Sequence, residues 1–232
     1  MPNRAVTDLT SGGDAARFEP ISRNSLSQQA YEEIKALLMR GRLKPGERLV
    51  SRALAIELGI STTPVREALF RLASEQAVVL DHRNTVTVPQ LTRSEYREIR
   101  DIRIELEGLG AERAAAAASV EEIAALVRLQ ERHIAAQEAG DLSEALAVNE
   151  EFHFSLCRMS KLPTLIKMVE MLWLKCGPLL HHFYRGPVWG RFEHPHHQVI
   201  GCLRERDGLG AREAMRVDIT EGARAILSSL RD

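Results

Sequence analysis

Between Leu49 and Leu72 the chain reads LVSRALAIELGISTTPVREALFRL. Apolar residues recur there at three- and four-residue spacing on both sides of Leu58-Gly59-Ile60, which predicts two short amphipathic helices meeting at a tight turn. Gly59 is the natural stop for the first, because the left-handed conformation that ends a helix costs glycine little. Ser51 is expected to cap the first helix and Ser61 the second, with Pro64 tolerated in its opening turn. The second helix opens with Ser61, Thr62 and Thr63 and carries Arg66 and Arg71 on its polar side. A turn of this kind can fix the angle of the second helix to its support, so the segment reads as a helix-turn-helix, although two merely packed helices share that spacing.

The flanks supply the rest of such a unit. Ser25 to Arg40 places Ala30, Ile34, Leu37 and Leu38 on one face of an amphipathic helix, with Gly41 as its stop and Lys44-Pro45-Gly46-Glu47 as a turn. The helix that starts at Ser61 is expected to run to about Gln76. Beyond it, Ala77–Leu80 and Val86–Val88 flank Asp81-His82-Arg83-Asn84, a hairpin whose tip asks Asn84 for a left-handed conformation. Three helices and a two-stranded wing predict a winged helix-turn-helix over residues 24–89, preceded by a mobile Gly/Ser/Thr-rich arm over 1–23. From Thr92 onward no strand pattern appears. Helices are predicted over Thr92–Ala118, Val120–Ala139, Leu142–Met159, Pro163–Phe183, Gly190–Glu205 and Gly208–Leu230. Short connections between them make residues 90–232 an all-α antiparallel helical bundle, and the fold class is mainly α.

Bulk properties narrow the function. Formal net charge is -1, yet residues 21–89 hold ten Lys/Arg against seven Asp/Glu, so the basic side lies in the N-terminal unit. Cys157, Cys176 and Cys202 show no CxxC spacing and suit a reducing compartment. No apolar run approaches 18 residues and no leader pattern opens the chain, so a cytoplasmic protein with no membrane partner is expected.

A helix N-terminus rich in hydroxyls and backbone N–H groups suits phosphate oxygens, and an arginine one turn in suits the guanine edge in a major groove. Double-stranded DNA is therefore the expected partner. Ile34 to Val88, with GRLKPGERL, SRALAIELGIS and TTPVREALFRL, resembles the winged-helix domain of the GntR family of bacterial transcription regulators. The resemblance implies DNA contacts from Arg52 and Arg66, with Ser61, Thr62 and Thr63 at the groove entrance and His82 and Arg83 on the wing. For His82 and Arg83 an exposed turn without contact is an equal alternative. Ser51 stands where the family usually has an acidic residue, Thr62 where many members have arginine, and Asn84 where the wing tip is usually glycine. These departures bear on which operator is read.

In the bundle, Asn149 and His153 are spaced i, i+4 and share a helix face. His194, Pro195, His196 and His197 open a later helix, and Asp218 lies on the last one. Imidazoles with one carboxylate suit a divalent transition metal such as Zn, Ni, Mn or Fe. VNEEFHFSLCRMSKLPTL and HHQVIGCLRERDGLGAREAM resemble the FCD ligand-binding domain of the FadR subfamily. That resemblance implies a metal set of Asn149, His153, His196 (not His197) and Asp218, the last in a position usually held by histidine. It also implies Arg103 as the clamp for a small carboxylic-acid effector. The alternatives are an Arg103–Glu107 surface pair, and Asp218 paired with an arginine. Trp173, Phe183, Tyr184 and Trp189 read as core or lid packing residues, and His181, His182, His194 and His197 as surface, phosphate-like or packing histidines. The expected function is a ligand-responsive repressor that binds a palindromic operator as a homodimer. The alternative is a metal-dependent enzyme acting on a small organic acid, for which Glu150 and Glu151 are the nearest candidate bases.

Overall fold

Three helices begin the computed structural model, which describes residues 26–180 and 195–230. They are α1 (Leu26–Met39), α2 (Ser51–Leu58) and α3 (Thr62–Ser74), with α3 packed against both others. Residues 1–23 and 190–194, with His181, His182, Phe183, Tyr184, Trp189 and His194, lie outside the described residues. Gly59 ends α2 with φ 66°, and its N–H returns to the carbonyls of Ala55 and Ile56. Ser51 is not the cap of α2: Val50 holds that position and Ser51 is already helical. Ser61 does sit at the N-cap of α3, but its side chain makes no cap hydrogen bond. The helix ends at Ser74, sooner than expected, and Gln76 turns the chain with φ 58°.

The wing has three strands where two were expected. β1 (Arg48–Leu49), β2 (Val79–Leu80) and β3 (Val86–Thr87) form an antiparallel sheet in the order β1-β3-β2. Thr87 faces Arg48 on one side and Val79 on the other. A two-residue strand is too short to show a period of 2, so β1 carries no sequence signal of its own. Backbone bonds from Gly46 N–H to the Val88 carbonyl (3.0 Å) and from Val88 N–H to the Glu47 carbonyl (2.9 Å) extend that edge. At the tip, the Asp81 carboxylate accepts from the N–H groups of Arg83 and Thr85, both at 2.8 Å, and Asn84 adopts φ 58°.

The bundle follows as α4 (Arg93–Ala117), α5 (Val120–Glu138), α6 (Leu142–Met159), α7 (Pro163–Cys176), α8 (His196–Arg204) and α9 (Gly208–Ser229). Thr92 and Ser119 each start a helix with a reciprocal capping box, paired with Glu95 and Glu122. Asp141 and Asp207 cap α6 and α9. α4 is central, packing on α9, α6 and α7, while α5 packs on α6 and α8. Ala111, Ala114, Ala115 and Ala118 are all buried against Phe152, Leu156, Ala211, Ala214 and Met215. Small side chains on both α4 and α9 let the two backbones approach, so the alanine run is a packing surface as well as good helix former.

The two parts share one core. Leu38, Leu69, Leu72 and Val86 of the winged unit belong to the same buried cluster as Phe154, Leu165, Val169, Trp173 and Leu174 of α6 and α7. At Gly177, just past α7, a Cβ would stand 2.6 Å from the Leu38 carbonyl oxygen and 2.8 Å from Met39 Cα. Only glycine allows the end of α1 to sit that close. Around this seam Lys35 pairs with Glu170, and Arg40 donates to Glu150 at 3.0 Å.

Candidate functional site

The winged unit exposes the residues expected to face DNA. Arg52, Ser61, Thr62, Thr63, Arg66, His82 and Arg83 are all solvent-exposed. Val65, Ala68, Leu69 and Leu72 on the opposite side of α3 are buried, which fixes the helix with its hydroxyls and Arg66 outward. The Arg66 guanidinium lies 5.8 Å from the centre of the Phe70 ring. Arg71 is held otherwise: it lies 3.7 Å over Tyr31 of α1, donates to Gln28 at 2.6 Å and pairs with Glu75. Its charge ties α3 to α1, so the polar side of α3 divides into an outward-facing arginine and one that joins two helices.

In the bundle, two histidines are held in matching ways. His153 of α6 has Nδ1 at 2.7 Å from a Glu107 carboxylate oxygen of α4, and His196 of α8 has Nδ1 at 2.8 Å from Gln130 Oε1 of α5. A hydrogen bond on one ring nitrogen orients the ring and leaves the other for a different task. Both Nε2 atoms turn to the same carboxylate of α9. His153 Nε2 is 3.1 Å from Asp218 Oδ2, and His196 Nε2 is 3.7 Å from Asp218 Oδ1. Phe152 stacks on His196 at 3.6 Å between ring centres and fixes its plane. Donor atoms of His153, His196 and Asp218 all lie within 4.8 Å of one another, and all three residues are buried. Two buried imidazoles and a buried carboxylate, with the outer nitrogens oriented by hydrogen bonds, fit the chemistry of a first-row divalent cation.

Burial would by itself favour uncharged forms of these groups, but their partners reverse it. Glu107 accepts from Arg103 Nε at 2.6 Å and from Trp173 Nε1 at 3.1 Å in addition to facing His153. Arg103 and His153 together outweigh the burial penalty and hold the Glu107 carboxyl well below the usual carboxylate range. Burial would lower the His153 pKa, yet Glu107 on one nitrogen and Asp218 on the other raise it above the ordinary histidine value. Arg103 itself is deeply enclosed, with its guanidinium 4.4 Å over Trp173 and Nη1 3.7 Å from Cys176 Sγ. The Arg103–Glu107 pairing anticipated from i, i+4 spacing is present, in the interior and not on the surface.

Several expectations change here. Asp218 faces the two histidines. Trp173 is more than packing, since its indole N–H donates to Glu107. His197 is exposed, in keeping with the surface reading, while its neighbour His196 is buried. Asn149 is half-buried one turn before His153. Glu150 and Glu151 point away, to Arg40 and Arg158. Gln130 and His133 went unnoticed in the sequence. The signal was there: with Ile123, Leu126 and Ala136 they form the buried stripe of α5, polar residues at core spacing.

With this geometry in view, comparison with known proteins places the chain. Residues 26–88 match the family described as "Bacterial regulatory proteins, gntR family", and residues 98–221 match the FCD domain. McbR, an HTH-type transcriptional regulator of Escherichia coli (strain K12), is 37% identical over 195 residues, covering 82% of this chain and 88% of McbR. Its solved structure superposes with a TM-score of 0.83, covering 89% of this chain and 98% of McBR's at 35% identity. The gluconate operon transcriptional repressor of Bacillus licheniformis is 28% identical over 163 residues, 70% of this chain and 65% of that protein. A GntR structure from Rhodococcus sp. RHA1 shares the fold at 17% identity, with a TM-score of 0.71 over 88% of this chain and 99% of the other.

The chain is a bacterial transcription regulator with a DNA-binding helix-turn-helix and a helical C-terminal domain. More particularly, it belongs to the GntR family and carries an FCD domain. It is not an enzyme, as its family and relatives are regulators of transcription. No helix among the described residues is long and apolar enough to cross a membrane.

Proposed function

We propose that this regulator is a homodimeric repressor in which residues 24–89 read a palindromic operator and residues 90–232 sense a small carboxylic acid through a bound divalent metal. The observation that carries the reading is the convergence of His153 Nε2 and His196 Nε2 on Asp218, with each Nδ1 already engaged. His153, His196 and Asp218 would hold the ion, and Asn149 is the expected fourth donor, one helical turn from His153. When bound, the metal supplies a Lewis-acidic position for an effector oxygen. Arg103 would take part as the carboxylate clamp, sharing its guanidinium between effector and Glu107. A palindromic half-site spacing calls for two recognition helices related by a two-fold axis, hence the dimer. The similarity to McbR, a transcriptional regulator, and to the gluconate operon repressor supports regulation and, through the latter, repression.

Signal would reach the DNA-reading end by two routes. One is the Gln90-Leu91-Thr92 junction. The other is Trp173, whose indole N–H meets Glu107 of the site while its ring lies in the core shared with α1. Effector affinity and operator affinity must then be coupled reciprocally. The test is elemental analysis of the purified chain, followed by gel shift with its own promoter region in a panel of hydroxy and keto acids. One metal per chain, lost in His153→Ala, with at least one acid changing operator affinity, is the expected result. Absence of Zn, Ni, Mn and Fe after refilling would end the metal reading, and operator affinity indifferent to every acid would end the effector reading.

A further inference from the structure

We propose that Gln130 of α5 is a positioning residue of this site: its amide oxygen commits His196 to the metal, and its neutrality leaves the loaded pocket with the positive charge that an anionic effector needs. The inference rests on the metal reading above. An amide oxygen only accepts, so with Gln130 Oε1 at 2.8 Å the Nδ1 of His196 carries the ring proton. Nε2 is then the nitrogen with the lone pair, and it faces Asp218. The 3.7 Å between Nε2 and Asp218 Oδ1 is beyond a hydrogen bond, so Asp218 does not orient His196 as it orients His153 at 3.1 Å. Gln130 and the Phe152 ring, stacked at 3.6 Å, do.

The matching place beside His153 is held by a carboxylate, Glu107, whose charge Arg103 meets at 2.6 Å. No such cation comes to Gln130 from its own helix: Arg128 and Arg132 are exposed, the latter paired with Glu144. Gln130 itself is 1% exposed. A carboxylate there would be an interior charge without a guanidinium, and the amide makes the same bond with no charge at all. It does so at a cost, because Gln130 Nε2 is buried with no acceptor among the described residues, a penalty that a carboxylate would not incur. A neutral group kept in spite of that penalty points to charge as the property that matters. Glu107 and Arg103 cancel each other, so a divalent ion held beside Asp218 keeps one net positive charge. A glutamate at position 130 would erase it.

The experiment titrates the full, metal-stripped chain with Co(II), then the Co(II)-loaded chain with acetate, glycolate and malonate, following the visible d–d spectrum. Gln130→Met keeps the bulk and removes the acceptor, and should bind Co(II) about 10- to 100-fold more weakly. Gln130→Glu restores the acceptor and should bind Co(II) at least as tightly as the unmodified chain, while its affinity for the acids falls more than about tenfold. A purely structural role would damage Co(II) binding in both. If Gln130→Met fails to fold by circular dichroism, Gln130→Leu replaces it. Unchanged Co(II) affinity in Gln130→Met, while His153→Ala loses the metal, would overturn the positioning role and leave the metal site standing. Unchanged acid affinity in Gln130→Glu, or a loaded chain whose spectrum ignores all three acids, would overturn the charge argument. No Co(II) binding by the unmodified chain would overturn the metal reading and this inference with it.

Discussion

Single side chains divide sharply into those that face a partner and those that hold the protein together, and their substitutions should separate the two. Arg66→Ala should weaken operator binding by about 1–3 kcal/mol and relax base preference while melting normally, read by gel shift against operator variants. Arg71→Ala should do the reverse: a lower melting temperature from the lost contact with Tyr31, and operator affinity near that of the unmodified chain. In the bundle, Glu107→Gln leaves the enclosed Arg103 guanidinium without its counter-charge. Urea unfolding should show a loss of about 3–5 kcal/mol. Much of this was legible residue by residue. The i, i+4 spacing of Arg103 with Glu107 and of Asn149 with His153 is local, and local geometry survives in a sequence. Gln130 and His133 were not legible, because a polar residue on a core stripe acquires meaning only when another helix supplies its partner. For His196 and Gln130 that partner lies 66 residues away.

At the scale of elements, boundaries followed the chemistry of the caps. Where a side chain closes a helix, as Thr92 with Glu95 or Ser119 with Glu122, the start was readable to within a residue. Where the backbone alone decides, the cap residue itself was not readable: Val50 displaced Ser51 by one position at α2, and β1 emerged only through its partner β3. The seam between α1 and α7 left no trace in periodicity, because both helices simply present apolar faces. Its tolerance is narrow all the same. Gly177→Ala would press a methyl group into the Leu38 and Met39 backbone, where no side chain can rotate aside. The variant should lose about 1–3 kcal/mol, and limited proteolysis should cut the connection between the winged unit and the bundle faster than in the unmodified chain.

Across the whole molecule, the histidine–aspartate cluster and the winged unit are joined by packed side chains as well as by the linker. His153 meets Glu107, Glu107 meets Trp173, and Trp173 is buried in the cluster that contains Leu38 and Leu69. Trp173→Phe keeps the ring and removes the N–H. It should preserve metal binding and operator recognition but shrink the change in operator affinity that metal or effector produces, measured as a ratio of dissociation constants with and without ligand. An unaltered ratio would assign the coupling to the Gln90-Leu91-Thr92 junction instead. The shared core also bears on how such regulators diversify. Transplanting residues 24–89 alone onto a foreign bundle would strand Phe154, Val169 and Leu174 in water and leave Leu38 without its cover. The unit that evolution or an engineer can exchange intact is therefore the winged head together with α6 and α7, so His153 and Trp173 must travel with it.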